Sequence, residues 1–316
     1  MKFKSRSPGK IIIIGEHFVV HGSYALAAAI NRGTTAQVTF SDRSIIISKN
    51  LGLKTNLVGR IPRKLSPIVE VFKSTLNYLD EKRGIRLELE SDIPISAGLG
   101  SSASASVAVV SAVSTILGHT LTEKEVIDLS MISEKLIHVN PSGIDPAIST
   151  CGGVILFKKG VPYESVNLDE SISLIIGYSG TSRNTSRMIE LFSKAKLNSP
   201  YRFEALVTST SLLSKLTASA LASKDLDTVA SILNNNHKIL SSIGVSSLLI
   251  DNLVESSLAS GCLAAKLTGG GGGGCIIALP PERKSNSINN KIKRFFTESW
   301  VSTIPNPGVL TWMVND

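Results

Sequence analysis

The chain has 316 residues, 42% of them hydrophobic, and carries 33 lysines and arginines against 25 acidic residues, a formal charge of +8. That length exceeds what one hydrophobic core ordinarily organises, so one large or two ordinary domains are expected, with no need of disulfide or metal staples. Cys151, Cys262 and Cys275 are odd in number, far apart and free of C-x-x-C pairing, which argues against a disulfide framework and a zinc site and fits a reducing cytoplasm.

The N-terminal MKFKSRSPGK is positively charged, but the apolar run at 11–14 is cut off by Gly15, Glu16 and His17, too soon for a signal segment. It reads as a strand, with Lys10 before it and Glu16 and His17 after it. Ser66 with Pro67 opens a helix expected to run to Gly84, a natural stop. Ile85, Leu87 and Leu89 then alternate with charged residues, the two-residue period of a half-buried strand. After a loop at 94–102 comes ASASVAVVSAVSTIL, a small-residue helix suited to close packing, ending at Gly118. Thr122 and Glu125 form a capping box for a further helix to about residue 137, and Pro141 forbids its continuation. Glu134 therefore falls in that helix's last turns and Asp145 beyond a turn.

GGVILF at 152–157 reads as a strand. A polar stretch at 161–171 follows, and the change of composition sets a domain boundary there, giving 1–160 and 161–316. The second part offers a strand near 174–177, helices near 185–196, 200–222, 225–241 and 246–260, and strands at 275–279 and 310–314 flanking a final helix. The class is α+β, without internal repeats. No run of about 18 apolar residues occurs, so no membrane helix and a soluble protein are expected. The positive charges are scattered and only 5% of residues are aromatic, which speaks against a nucleic-acid surface and leaves an anionic small substrate.

Four segments carry chemistry. PISAGLGSS at 94–102, between a strand and a helix, suits phosphate: its glycines let backbone N–H groups approach an anion and the helix N-terminus adds unpaired donors. A small-residue tight turn capped by Ser101 or Ser102 explains the loop equally well, and no G-K-[ST] makes it a Walker loop. The six glycines at 269–274 sit directly before a strand, which leaves little room for a flexible linker and suggests backbone approach to a ligand. Lys10, Glu16 and His17 place polar groups at both ends of a buried strand, where sites are commonly built, although a solvated lysine and a surface turn are the ordinary reading. Glu134 and Asp145 flank the turn NPSGID at 140–145. They could divide labour between holding Mg²⁺ and facing an acceptor hydroxyl; Asp145 taken alone is more often a turn or capping residue.

PGKIIIIGEHFVVHG at 8–22, PISAGLGSSASASVAV at 94–109 and KLTGGGGGGC at 266–275 resemble, in order, the three motifs of the GHMP small-molecule kinases, and the likeness spans nearly the whole chain. NPSGID with GEHFVVHG resembles the branch acting on mevalonate, in a compact archaeal-like form, rather than galactokinase, homoserine kinase or phosphomevalonate kinase. One position departs: Gly270 stands where that branch generally has alanine.

The resemblance implies an N-terminal domain like ribosomal-protein S5 domain 2, a ferredoxin-like C-terminal domain, and a site between them. ATP phosphates would lie on the loop formed by Pro94, Ile95, Ser96, Ala97, Gly98, Leu99, Gly100, Ser101 and Ser102, with Ser91 as a nucleotide-binding position upstream. Ser102 and Glu134 would ligate Mg²⁺ and Asp145 would act as base. Lys10 would stand beside Asp145 and the acceptor hydroxyl, with Glu16 orienting it. His17 would contact mevalonate, and Thr181, with Ser179 and Arg183, falls on a substrate-side loop. The implied reaction is ATP- and Mg²⁺-dependent phosphorylation of the C5 hydroxyl of mevalonate in isoprenoid biosynthesis, with small molecules as partners and neither nucleic acid nor membrane. A related phosphomevalonate kinase or decarboxylase, or a non-catalytic S5-like nucleotide- or RNA-binding module, remains the alternative. Homodimerisation is left open by the sequence.

Overall fold

The computed structural model describes residues 1–137, 141–182 and 185–314. Asn140 and Arg183 fall outside them. The first half comprises β1 (Lys2–Ile14), β2 (Ala25–Phe40), β3 (Ile45–Ser48), β4 (Leu53–Asn56), α1 (Ser66–Tyr78), β5 (Ile85–Ser91), α2 (Ser101–Ile116), α3 (Glu123–Ile137), α4 (Ile144–Cys151), β6 (Val154–Phe157) and β7 (Glu164–Ser165). The second comprises β8 (Ile172–Tyr178), α5 (Thr185–Asn198), α6 (Pro200–Ala222), α7 (Leu226–Ser242), α8 (Leu248–Ala259), β9 (Ala264–Thr268), β10 (Cys275–Leu279), α9 (Ser285–Ile292), β11 (Glu298–Ile304) and β12 (Leu310–Met313).

Among the described residues, one sheet runs β12-β1-β2-β5-β3-β4, with β6 added beside β2 and β7 beside β6, and a second runs β11-β8-β10-β9. This is the expected α+β arrangement. The two sheets are not independent cores: Ile11, Ile13 and Leu26 share one apolar cluster with Leu174, Ile176 and Ile277. The apolar contact that joins the halves therefore lies directly under the strand that carries Lys10.

Helix α2 is buried on almost every side, which its alanines and serines permit. Ser104 fixes its height over the sheet. The Ser104 hydroxyl donates to the Ser7 carbonyl at 2.7 Å and accepts from the Thr34 amide at 2.9 Å, tying the first turn of α2 to β1 and β2. The expected capping box of α3 is present: the Thr122 amide donates to Glu125 Oε2 at 2.7 Å, and the Glu125 amide donates to the Thr122 hydroxyl at 3.3 Å.

Several elements differ from the sequence reading. Helix α1 stops at Tyr78 rather than at Gly84, because Asp80 takes a left-handed φ of 48°. Gly84 serves another purpose: a Cβ there would stand 2.2 Å from the Ser41 carbonyl oxygen, so only glycine lets the two segments close. The strand expected beside the last helix, β12, pairs with β1 in the first sheet, and β7 also joins that sheet. Sheet membership thus does not follow a single cut at residue 160. The turn expected around Asp145 winds directly into α4, opened by Gly143 at φ 90°.

Candidate active site

Lys10 lies within β1 at a register shift between Pro8 and Lys10, which breaks the regular alternation of the strand. Its amide donates to the Leu99 carbonyl at 2.9 Å, fastening the strand to the 94–102 loop. The side chain is 6% exposed, and Nζ stands 3.2 Å from Asp145 Oδ1. Asp145 is held in the first turn of α4, where the unpaired amides of a helix N-terminus favour a carboxylate. Gly100 presses against both: a Cβ on it would lie 2.9 Å from Lys10 Cγ and 3.5 Å from Asp145 Oδ2. At φ 72°, Gly100 also supplies the left-handed turn that starts α2.

The loop itself is shaped for approach by an anion. Ser96 adopts φ 61°, Ile95 is 61% exposed, and no side chain caps the N-terminus of α2. Ser102, in the first turn of α2, hydrogen-bonds to Glu134 near the end of α3. Burial and the nearby Asp145 push the Glu134 carboxyl up to about 7, against the opposing effects of Ser102 and Lys10. Two acids and a hydroxyl therefore meet at one place.

That donor set fits a hard divalent cation of the Mg²⁺ type. Such an ion takes one or two carboxylates, keeps waters, and completes its shell with phosphate oxygens. Among the described residues no group of three or more His, Cys, Asp or Glu side chains could hold a metal by itself, so a cation here would depend on its anionic ligand.

The other sequence candidates surround this cluster. Ser91, at the end of β5, is locked by Asn50: the Ser91 amide donates to Asn50 Oδ1 and the Asn50 side-chain amide donates to the Ser91 carbonyl, both at 2.7 Å. Thr181 is exposed on the turn after β8, where its carbonyl accepts from the Gly274 amide at 2.9 Å. The substrate-side loop and the glycine tract are thus in direct contact. Tyr178, on β8, reaches across to the Ile95 carbonyl at 3.4 Å.

Glu16 was expected to orient Lys10. Its hydrogen-bond partner is Lys266 on β9, Lys10 also acts on it through charge, and the Glu16 and Lys266 side chains have no solvent exposure. His17 has φ 60° and ψ −40°, a sparsely populated conformation that costs on the order of 1–3 kcal/mol. Its Nε2 lies 3.0 Å from the Gly270 carbonyl, and its ring stacks on Phe192 of α5 with centroids 5.1 Å apart. Lys266 was visible in the sequence only as a flank of the glycine tract. A lysine within five fully buried strand residues is the signal that could have marked it, since such a charge requires a buried partner.

Comparisons with known proteins agree with this geometry. The model of the GHMP kinases N terminal domain matches residues 66–153 and that of the GHMP kinases C terminal matches 217–298; a galactokinase galactose-binding signature matches 2–40. The chain is 34% identical to a mevalonate kinase of Thermococcus sibiricus, over 90% of this chain and 91% of the relative. It is 32% identical to one from Pyrococcus horikoshii, over 88% of each. The crystal structure of Methanococcus jannaschii mevalonate kinase superposes with a TM-score of 0.84 at 26% identity, covering 97% of this chain and 98% of that one. The L. major mevalonate kinase in complex with R-mevalonate shares the fold, with a TM-score of 0.82 at 24% identity and 96% of each chain covered.

Proposed function

Because the chain belongs to the GHMP kinases, and within them to the mevalonate kinases, we propose that it transfers the γ-phosphoryl group of ATP to the C5 hydroxyl of (R)-mevalonate. The observation that carries this reading is the Lys10–Asp145 pair set against an uncapped helix N-terminus, with Glu134 and Ser102 alongside.

The 94–102 loop and the start of α2 offer backbone amides to the phosphates, and Ser91 borders the nucleotide. Asp145 accepts the proton of the C5 hydroxyl as that oxygen attacks the γ-phosphorus. The bond from phosphorus to the β,γ-bridging oxygen breaks, and ADP leaves. Such a transfer passes through a loose transition state, so positioning and charge neutralisation supply most of the rate. Lys10 contributes a fixed positive charge beside the attacking oxygen. Ser102 and Glu134 would hold Mg²⁺, which when bound neutralises phosphate charge. His17 lines the acceptor side, with Thr181 at its rim and the buried Glu16 behind it.

Residues 1–160 are proposed as a nucleotide-binding domain, completed by β12, and 161–316 otherwise as the substrate-side domain. The widely spaced cysteines, odd in number, suit a reducing compartment, and we assign the protein to the cytoplasm. No helix among the described residues is long and apolar enough to cross a membrane.

Because a galactose-binding signature overlies β1 and β2, galactose is the acceptor to set against mevalonate. A coupled assay of ADP release with Mg²⁺-ATP should include mevalonate, 5-phosphomevalonate, galactose and homoserine, with CO₂ followed in parallel. Turnover on mevalonate alone, without CO₂, is expected. Turnover only on another acceptor would overturn the substrate, and CO₂ release would point to a decarboxylase.

A further inference from the structure

We infer that Lys266 is a positioning residue: through Glu16 it holds His17, and with it the mevalonate side of the site, in a conformation the first half cannot keep alone. The inference rests on the proposed contact between His17 and mevalonate.

Three contacts from the second half converge on the end of β1. Lys266 Nζ donates to Glu16, buried without solvent exposure on either side, and to the Leu267 carbonyl at 2.7 Å. Two residues along β9, the Thr268 hydroxyl accepts from the Ile12 amide at 2.9 Å and donates to the Ile12 carbonyl at 2.8 Å. It takes hold of β1 next to the register shift between Ile12 and Ile14. The Gly270 carbonyl then meets His17 Nε2. Alternate residues of a strand point to one face, so Lys266 and Thr268 address β1 together and the glycine tract carries the line on to His17.

What these contacts hold is strained. His17 sits at φ 60° and ψ −40°, directly after Glu16. A residue in such a conformation persists where its surroundings over-determine it, and those surroundings commonly serve a site. Glu16 cannot turn away, because its partner is immobile in β9. The Glu16–Lys266 pair is therefore the anchor from which His17 reaches the Gly270 carbonyl and the Phe192 ring.

The test separates positioning from mere stability. In Lys266→Met the KM for mevalonate should rise about tenfold while the KM for ATP stays within about twofold. Glu16→Gln/Lys266→Met, which leaves no lone buried charge, should regain the melting temperature but retain the raised mevalonate KM. His17→Ala should raise that KM about tenfold in the wild-type chain and by less than about twofold in Lys266→Met, because residues acting in series do not add. Full additivity, or a paired variant that regains wild-type KM with its melting temperature, would show a purely structural pair and overturn the inference. A His17→Ala variant without effect on mevalonate would instead sink the reading of His17, and the inference with it.

Discussion

Two ion pairs start on the same stretch of chain, at Lys10 and Glu16, and they are built differently. Lys10 and Asp145 stand 3.2 Å apart, and the Asp145 side chain is 25% exposed, so one face of that pair opens to whatever enters the cavity. Glu16 and Lys266 are sealed on every side. Burial raises the Glu16 carboxyl and lowers the Lys266 ammonium from their ordinary values, and each opposes the other's shift. An open pair can exchange partners during a reaction. A sealed one can only fix geometry, and it binds the turn after β1 in one sheet to β9 in the other.

The sharpest way to break that distinction is to remove one lysine at a time. Lys266→Met strands a carboxylate in the interior and should cost roughly 3–5 kcal/mol in urea unfolding, the scale for a broken buried pair. Lys10→Met leaves Asp145 with access to solvent, and its unfolding midpoint should shift far less. Equal losses would mean that the two pairs are energetically alike. Activity should run the other way: Asp145→Asn and Lys10→Met are each expected to lower kcat by about 10²-fold or more with the fold intact, the usual scale for acid-base and electrostatic groups. Wild-type turnover in either variant would remove that residue from the mechanism.

Glu134 refines the comparison, being a buried acid of the open site whose burial outweighs the pull of Ser102 and Lys10. Its carboxyl sits at about 7 in the folded chain against 4.5 ordinarily, so between those values the folded state holds a proton that the unfolded state has released. Stability of the cation-free protein should therefore fall as pH rises through that window. Glu134→Gln should flatten this dependence in thermal melts. Since only the carboxylate binds a hard cation well, Mg²⁺ affinity in the presence of nucleotide should drop up to about tenfold per pH unit below 7. A Mg²⁺ titration independent of pH between 5 and 7 would take Glu134 out of the cation site.

The open site was largely legible in the sequence, and the sealed pair was not. Lys10, Ser102, Glu134 and Asp145 stand in segments whose local chemistry is conspicuous: glycines, a helix start, a capping box, a proline turn. The structure brings those four together. Glu16 and Lys266 meet across 250 positions of chain, and nothing in AAKLT states which acid its lysine will find. The same limit hid β2. Its ALAAAINRGTTAQVTF has neither a clean two-residue alternation nor a strong propensity, and its strand is imposed by β1, β5 and β6 on its flanks. Helix α4 was masked by the NPSGID turn, of which Gly143 serves as the helix cap and Asp145 falls in the first helical turn.

The smallest expected effect concerns the glycine tract that follows Lys266 and reaches His17. Of its six glycines, 269, 271, 272, 273 and 274 have positive φ; Gly270 does not. The other five hold conformations that side chains disfavour, and at Gly271 a Cβ would also fall 2.0 Å from the Val245 carbonyl oxygen. Gly270 uses its carbonyl, on His17, and nothing in its backbone angle requires the absence of a Cβ. Alanine at 270 should therefore restrict the unfolded chain without straining the folded one, raising stability by about 0.4–1 kcal/mol in urea unfolding. The mevalonate KM should stay unchanged, since the carbonyl that meets His17 is kept. Gly271→Ala should instead destabilise. If Gly270→Ala destabilised equally, the tract would be needed as a whole for flexibility, and the clamp on β1 would end at Thr268 instead of running on to His17.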